Sequence, residues 1–380
     1  MKFILISPKN RTVYNFRGDL IKEIINNGYE VVVTGPDQTD VDKIEALGAR
    51  FVEIQMNKTG TNVFSDLKYC KALTQLFKKE KPDITLGYTV KPVIYGAIAA
   101  NRAKVKNINS LVTGGGYTFT STSLKAHVLG MIVRSLYRIG FRKADHVIFQ
   151  NPDDLEEFVS RKLVKREKCS FVNGSGVNIK HFEPTPLPET ISFFMLSRLL
   201  KSKGVCEYLE AARIAKEKHP EARFFILGKY ETSMQDAVNR DYVEQFIANG
   251  IVERFEETSD VRPYYSMCSV FVLPSYREGT PRTVLEAMAM GRPIITTDAP
   301  GCRGTVQDGV NGFLVPVKDA DAVAEKMVWF IEHPDSIVKM GKTSVSYTLE
   351  KFDVRKINSE MIRIMRLGQD NRGFITERKK

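Results

Sequence analysis

The feature that most constrains the fold is an alternation of short apolar runs with longer segments of helical periodicity. In the first half, runs rich in Val, Ile and Phe cover Lys2–Ser7, Glu30–Thr34, Arg50–Ile54, Ile84–Tyr88, Val105–Ser110 and His146–Gln150. The second half continues with Ile191–Leu196, Arg223–Leu227, Val270–Leu273, Pro293–Thr297 and Gly312–Val315. Apolar strands separated by helices are typical of a parallel sheet with both faces covered. The sequence therefore predicts an α/β protein with two doubly wound, Rossmann-like units.

The segments between these runs predict the helices. They are Gly18–Asn27, Asn62–Glu80, Val93–Arg102 and Leu124–Arg142, followed by Val205–Lys218, Met234–Asn249, Arg282–Met290 and Ala320–Glu332. A last helix, Val354–Leu367, places Ile357, Met361, Ile364 and Met365 on one side. This apolar stripe predicts that the last helix packs against another part of the protein.

The boundary between the two units is visible in the composition of the chain. A Gly/Asn-rich turn, Asn173–Asn178, is followed by Pro184, Pro186 and Pro188, which indicate a hinge and a semi-rigid connector. A chain of 380 residues is also too long for one ordinary domain. We expect an N-terminal domain over 1–177, a second domain over 178–350, and a C-terminal segment, 351–380, that returns to the first.

Composition excludes several classes of protein. Hydrophobic residues make up 43% and charged residues 27% of the chain, which excludes wholesale disorder. No apolar run is long enough for a membrane-spanning helix, and the run after Met1 is too short for a signal peptide. The five cysteines are scattered without a Cys-x-x-Cys pair, so neither a disulfide framework nor a zinc site is indicated. We expect a cytoplasmic protein.

The positive charge is concentrated in the first half of the chain. Residues 1–180 contain 28 Lys and Arg against 17 Asp and Glu, whereas residues 181–380 contain 28 of each. The excess peaks at 101–150, where Asp145 is the single acidic residue. Such a bias suits an anionic lipid or a phosphorylated ligand, or is simply a solubilising surface. Nucleic acid is disfavoured because no nucleic-acid-binding motif accompanies the charge.

The most informative motif is Arg277–Met288, which follows an apolar strand and enters a helix. A strand-to-helix turn of this kind faces the ligand crevice of an open α/β sheet, and the helix start suits a diphosphate. Gly279 permits close backbone approach, and Glu278 and Glu286 are placed to accept hydrogen bonds from sugar hydroxyls. The alternative is that both carboxylates only complement the helix dipole.

A second motif, Ser197–Gly204, brings positive charge to the same predicted sheet edge. Arg198 and Lys203 stand at a helix start and suit phosphate oxygens, although an ordinary basic loop has the same composition. Together with Glu278 and Glu286, they describe a pocket for a nucleotide-diphospho-sugar.

These motifs resemble glycosyltransferase family 4, the retaining transferases of GT-B architecture. The resemblance rests on Leu196–Leu199 with Lys203-Gly204, on Val272–Gly279, on Leu285–Gly291 and on Gly309–Val315, in the family's order and spacing. Asn15–Gly18, Lys91–Gly96 and Thr113–Tyr117 look like the bacterial branch that builds capsule, O-antigen and other lipid-linked oligosaccharides.

The resemblance implies a role for each matching position. Arg198 and Lys203 would neutralise the donor diphosphate, and Glu286 would bind the ribose. Glu278 would hold the donor sugar, together with the backbone of Gly279, Thr280 and Pro281. It also implies a UDP-sugar donor, retention of configuration, and no metal or other cofactor.

The acceptor side is less well defined, because this sequence departs from the family there. The loop Pro8–Val13 lacks the family's paired glycines, so acceptor handling is assigned to Asn15 and Arg17. Gly115 and Gly116 are further candidates. The histidine that many relatives carry near the donor sugar is absent from Gly114–Thr122, which leaves His127 as a candidate on a predicted helix.

The segment Leu124–Lys143 mixes apolar residues with Arg134, Arg138 and Arg142, which recur every four residues. It predicts either a core helix with a solvated basic stripe or a helix that docks on anionic lipid. We favour docking at the inner face of the cell membrane, where a polyprenyl-diphosphate-linked acceptor would lie.

The sequence thus predicts a metal-independent transferase that moves a hexose or N-acetylhexosamine from a UDP-sugar to a lipid-linked glycan. Two alternatives remain: a GT-B sugar-nucleotide epimerase, which needs no acceptor, and a non-catalytic partner that only binds a sugar nucleotide.

Overall fold

The computed structural model describes residues 1–57, 62–115, 124–231, 234 and 236–368. They form two compact units, each built around a parallel sheet. Unit 1 consists of three segments of the chain: Met1–Thr113, a second segment that ends at Val172, and the residues from Arg355 onwards. Unit 2 consists of Asn173–Val354 together with a short segment that begins at Gly114. The breaks after Val172 and Val354 lie within a few residues of the predicted boundaries.

The elements follow one another in regular α/β alternation. The first part of the chain forms β1 (Lys2–Ile6), α1 (Asn10–Asn26), β2 (Glu30–Gly35), α2 (Val41–Glu45), β3 (Arg50–Glu53), α3 (Val63–Glu80), β4 (Ile84–Tyr88), α4 (Ala97–Arg102), β5 (Asn107–Val112), α5 (Leu124–Lys143), β6 (His146–Phe149), α6 (Pro152–Ser160) and β7 (Cys169–Phe171). The second part forms β8 (Ser192–Leu196), α7 (Val205–Lys218), β9 (Arg223–Leu227), α8 (Arg240–Ala248), β10 (Glu253–Phe255), α9 (Arg262–Ser266), β11 (Val270–Leu273), α10 (Arg282–Ala289), β12 (Ile294–Thr297), β13 (Gly312–Val315), α11 (Ala320–Glu332) and α12 (Pro334–Lys351). The last helix, α13 (Val354–Ile364), belongs to unit 1 from Arg355 onwards.

Both sheets are parallel and doubly wound. The strand order is β3-β2-β1-β4-β5-β6-β7 in unit 1 and β10-β9-β8-β11-β12-β13 in unit 2. In unit 1 the helices α3 to α6 cover one face, whereas α1, α2 and α13 cover the other. The strands are apolar along their length because both of their faces are buried. None of the helices in the described ranges has both the length and the apolar character that crossing a bilayer requires.

The helix α13 completes the core of unit 1. Its residues Ile357, Met361 and Ile364 are buried in the same cluster as the apolar face of α1. The amide of Asn107 donates to the carbonyl of Met365 at 2.7 Å, and the Gly368 N–H donates to the Tyr29 hydroxyl at 3.0 Å. The apolar stripe of this helix is thus buried within unit 1.

The first helix departs from the prediction, because it begins at Asn10 rather than at Gly18. Lys9 has extended backbone angles just before the helix, and the Thr12 hydroxyl donates to its carbonyl at 2.6 Å. Glycine at position 18 lies inside the helix, and a Cβ there would lie 3.4 Å from Leu47, an ordinary contact distance, so this glycine marks no helix start. Two short edge strands, β7 and β10, were not predicted, since neither has a β-branched run.

The proline-containing connector is fixed by one buried arginine. Arg292 is 0% exposed and donates from Nη1 to the carbonyls of Thr185 and Met290, both at 2.8 Å. Its Nε donates to the Tyr265 carbonyl and its Nη2 to the Pro186 carbonyl, both at 3.0 Å. Burial lowers the pKa of this guanidinium. The connector is therefore attached to the sheet of unit 2 by hydrogen bonds from one side chain.

Candidate functional site

The loops that follow β8 and β11 meet at the carboxyl edge of the sheet in unit 2. The Tyr276 N–H donates to the Ser202 carbonyl at 3.0 Å, which joins the two loops. Above this contact the Lys203 ammonium forms an ion pair with the Glu278 carboxylate. The two side chains are 20% and 14% exposed, so the pair is shielded from water but open on one side. Two of the predicted site residues therefore lie together.

At two positions the backbone approaches a neighbouring carbonyl group so closely that only glycine fits. Gly204, at the start of α7, has φ +75°, and a Cβ there would lie 2.1 Å from the Pro274 carbonyl oxygen. Gly301 has φ +79°, and a Cβ there would lie 2.1 Å from the Glu278 carbonyl oxygen. The Glu278 N–H also donates to the Pro300 carbonyl at 3.0 Å. The backbone of Glu278 is thus held on both sides, which fixes the direction in which its side chain leaves the loop.

Ser275 is a site residue that sequence reasoning missed. Its hydroxyl is fully buried and lies 2.9 Å from Glu278 Oε1 and 3.1 Å from the Ser202 carbonyl oxygen. A hydroxyl has one proton to donate, so the carboxylate, as the charged acceptor, is the stronger partner. The signal in the sequence was a small polar residue directly after an apolar strand, but such residues are common in turns.

Glu286 lies deeper than its predicted role suggests. It is 9% exposed on the first turns of α10, where Tyr265 donates to Oε2 at 3.0 Å and the Arg282 Nε donates to Oε1 at 3.1 Å. Burial raises the pKa of this carboxyl above its usual value, and Arg282 and Tyr265 oppose that shift. Both oxygens already have protein partners, so a ribose contact would have to be shared with them; the assignment remains a prediction.

Arg198 is the most exposed of the predicted donor residues. Its side chain is 52% exposed, and it lies 4.0 Å from the Glu231 carboxylate and 3.0 Å from the Met234 sulfur. Its backbone is fixed because the neighbouring residues Leu199 and Leu200 form bridges with Tyr230 and Ala237. Since its ion pair is long and solvated, the guanidinium can turn toward an anion at low cost.

The start of α10 provides backbone donors at the same edge. Pro281 precedes the helix with extended backbone angles and gives it no side-chain cap. The Thr280 hydroxyl donates to the Gly279 carbonyl at 2.8 Å, and Gly279 itself lies beside Gly114. A helix start without a side-chain cap, at the sheet edge where Lys203 and Glu278 pair, favours a bound anion through the helix dipole.

The described candidates for the acceptor side are divided between the two units. Asn15 is exposed on α1, but Arg17 is buried, with its guanidinium 5.4 Å from the centre of the Tyr88 ring. Arg17 is buried because α1 begins before it and turns its side chain inward, and its role on the acceptor side remains a prediction. Gly115 lies against Arg277, where a Cβ would be 2.8 Å from the guanidinium. Gly116 and the side chain of His127 lie outside the described residues.

Unit 1 has its own polar cluster at the carboxyl edge of its sheet. Lys91 pairs with Asp66 at 2.6 Å, and the Tyr95 hydroxyl donates to the same carboxylate at 3.1 Å. These residues surround a π-helical turn, Pro92–Gly96, and Thr89 just before it has φ +66°. Local strain and π-helical turns are frequent at functional sites. From the sequence, this segment was singled out only because Lys91–Gly96 resembles the bacterial branch of the family.

The exposed face of α5 differs from the predicted basic stripe. Met131 and Ile132 are each 53% exposed and Ile139 is 45% exposed, so the outer face is largely apolar. Arg138 donates to the carbonyl of Lys162 at 3.1 Å and is therefore not directed at a lipid surface. Arg142 is exposed at the end of the same helix. Of the three arginines that recur every four residues, Arg138 thus binds the protein, and docking of this helix on lipid remains a prediction.

The part of the chain that the structure describes has no group of three or more His, Cys, Asp or Glu side chains placed to hold a metal ion. Independence from metal remains a prediction.

Two family models match the chain, one over each unit. The model described as Glycosyl transferase 4-like matches residues 3–151, and that of Glycosyl transferases group 1 matches residues 178–345.

Similar proteins span most of the chain. An N,N'-diacetylbacillosaminyl-diphospho-undecaprenol alpha-1,3-N-acetylgalactosaminyltransferase of Campylobacter jejuni is 28% identical, over 92% of this chain and 94% of its own. A UDP-Gal:alpha-D-GlcNAc-diphosphoundecaprenol alpha-1,3-galactosyltransferase of Escherichia coli is 27% identical, over 70% and 71%. Anabaena HepE, solved with UDP and glucose, is 16% identical with a TM-score of 0.77, over 96% of this chain and 99% of its own. That likeness confirms the predicted two-unit GT-B fold.

Proposed function

The chain belongs to the group 1 glycosyltransferases, and we propose that it is a retaining enzyme that transfers a hexose or N-acetylhexosamine from a UDP-sugar to a polyprenyl-diphosphate-linked glycan. The observation that carries the proposal is the meeting of Lys203 and Glu278 beside the uncapped start of α10. The names of the Campylobacter and Escherichia relatives, which both specify acceptors linked to undecaprenyl diphosphate, support the acceptor class.

The proposed chemistry is electrostatic. As the bond from sugar to phosphate breaks, negative charge builds on the departing nucleotide, and the sugar becomes oxocarbenium-like. Lys203, Arg198 and the first turn of α10 would stabilise that charge without reorganising, which is how fixed donors lower a barrier. Glu278 would accept a hydrogen bond from a hydroxyl of the donor sugar. With these donors in place the phosphate needs no metal ion.

The first prediction concerns nucleotide binding. We expect calorimetry to show that the purified protein binds UDP more tightly than ADP or GDP. Because Arg198 is half exposed, Arg198→Ala should weaken UDP binding only about three- to tenfold. Arg213→Ala is the matched control, since Arg213 is 43% exposed and lies on the outer surface of α7, where it pairs with Glu210 and Glu217. The proposal fails if none of the three nucleotides binds.

Binding alone does not separate transfer from epimerisation or from a non-catalytic role. The proposed enzyme should release UDP from a UDP-sugar over many turnovers only when a lipid-linked acceptor is present. Conversion of the UDP-sugar without acceptor would instead favour the epimerase, and the absence of any turnover would favour the binding partner.

We also propose that unit 1 docks on anionic lipid at the inner face of the cell membrane, through the outer face of α5. Apolar Met131, Ile132 and Ile139 would enter the interface while Arg142 contacts lipid headgroups. The excess of basic residues at 101–150 supports an anionic surface as the partner. The membrane would then present the lipid-linked acceptor to unit 1.

The second prediction tests this docking. Replacing both Met131 and Ile132 by serine should lower co-sedimentation with vesicles of phosphatidylglycerol and phosphatidylcholine about tenfold, because two exposed apolar side chains are lost. The control is Val338→Ser with Leu349→Ser on α12, where the side chains are 47% and 43% exposed. Equal sedimentation of both double variants would contradict the docking site.

A further inference from the structure

The ion pair in unit 2 presents a conflict. Lys203 is proposed to neutralise the donor diphosphate, yet the structure engages its ammonium with the Glu278 carboxylate. An ammonium can donate to several acceptors at once, but a carboxylate next to a bound diphosphate is repelled by it. Because both side chains are largely shielded from water, this repulsion is only partly screened. The carboxylate therefore either gains a new partner when the nucleotide binds or opposes its binding.

The geometry shows which oxygen is available for a new partner. Glu278 Oε1 takes both Lys203 and the Ser275 hydroxyl, whereas no hydrogen bond reaches Oε2 from the described residues. Ser275 is itself fixed, since it is fully buried and its carbonyl accepts from the Thr297 hydroxyl. One oxygen is thus held beside Lys203, and the other is left for a substrate hydroxyl.

We propose that Glu278 competes with the nucleotide diphosphate for Lys203, and that Ser275 is the positioning residue that keeps the carboxylate within reach of that lysine. This inference rests on the proposed function. A bound UDP-sugar supplies hydroxyl groups for the carboxylate, which compensate for the shared lysine. Product UDP supplies none, so Glu278 pairs with Lys203 again and the nucleotide leaves. Glu278 thereby distinguishes the donor from the spent nucleotide.

The test is the affinity for UDP, measured by calorimetry. Glu278→Gln keeps the shape of the side chain and removes its charge, and it should bind UDP at least about threefold more tightly than wild type. Ser275→Ala should shift affinity in the same direction, and Ser275→Thr, which keeps the hydroxyl, should restore the wild-type value. Ser269→Ala is the matched control, because this buried hydroxyl accepts from the Ser192 N–H at 3.1 Å, away from the pair.

A double-mutant cycle isolates the competition for Lys203. In a Lys203→Met background, Glu278→Gln should no longer tighten UDP binding, because there is no ammonium left to share. Equal tightening in both backgrounds would overturn the proposal, since it would indicate charge repulsion that does not involve Lys203. Wild-type affinity in Glu278→Gln would also overturn it. If wild type does not bind UDP, the proposed function fails together with this inference. If wild type binds UDP and Glu278→Gln binds it no more tightly, only this inference fails.

Discussion

Glu278→Gln should lower kcat/KM for sugar transfer about 10- to 100-fold while UDP binding is not weakened. The amide cannot accept a charge-assisted hydrogen bond from the donor sugar, and such bonds contribute about 1.5–3 kcal/mol. The fold is expected to be unaffected, because the backbone of Glu278 is held by the Pro300 carbonyl and by the close approach of Gly301. The measurement is UDP release from a UDP-sugar in the presence of an undecaprenyl-diphosphate-linked acceptor.

The control for this variant is Glu210→Gln on α7, which removes a carboxylate from a surface ion pair with Arg213. It should transfer sugar at the wild-type rate. A Glu278→Gln enzyme that matched this control would remove Glu278 from the catalytic site.

Arg292→Met should destabilise unit 2 by about 3–5 kcal/mol, because several buried hydrogen bonds from one charged group are lost. Methionine fills a similar volume, but it removes the guanidinium that donates to the carbonyls of Thr185, Pro186, Met290 and Tyr265, of which Met290 and Tyr265 keep a backbone donor. Each buried carbonyl without a partner costs about 1–3 kcal/mol. The measurement is the midpoint of urea unfolding, followed by circular dichroism.

Arg223→Met is the matched control, because Arg223 is 54% exposed and pairs with Glu253 at 3.3 Å. It should change stability by less than about 1 kcal/mol. If Arg292→Met and Arg223→Met unfolded at the same urea concentration, the connector would not depend on Arg292.

The strands could be predicted because burial on both faces requires continuous apolar runs. Ile84–Tyr88 and Val270–Leu273 lie where the sequence placed them, whereas Cys169–Phe171 and Glu253–Phe255 form strands only because a neighbouring edge offers hydrogen bonds. The start of α1 was missed because glycine at position 18 suggested a boundary, whereas the helix begins at Asn10 and continues through that glycine.

The meeting of Lys203 and Glu278 could be predicted as far as their shared sheet edge. Lys203 and Glu278 follow neighbouring strands of a parallel sheet, so their proximity follows from topology. Their pairing, and the serine that holds it, depend on side-chain directions that spacing does not encode. Arg292 gave no signal either, because an arginine between a glycine and a proline has the composition of an exposed turn. The burial of Arg17 could not be predicted either, because the buried face of a helix cannot be assigned until the start of the helix is known.

The return of α13 to unit 1 has a consequence for how the protein folds during synthesis. Unit 2 is almost continuous in sequence, so nearly all of its core is available once Val354 has left the ribosome. Unit 1 is translated first, but its apolar surface around α1 stays uncovered until Ile357, Met361 and Ile364 emerge. Exposed apolar surface of this kind invites aggregation and chaperone binding. Unit 1 is therefore the first unit to be translated and the last to complete its core.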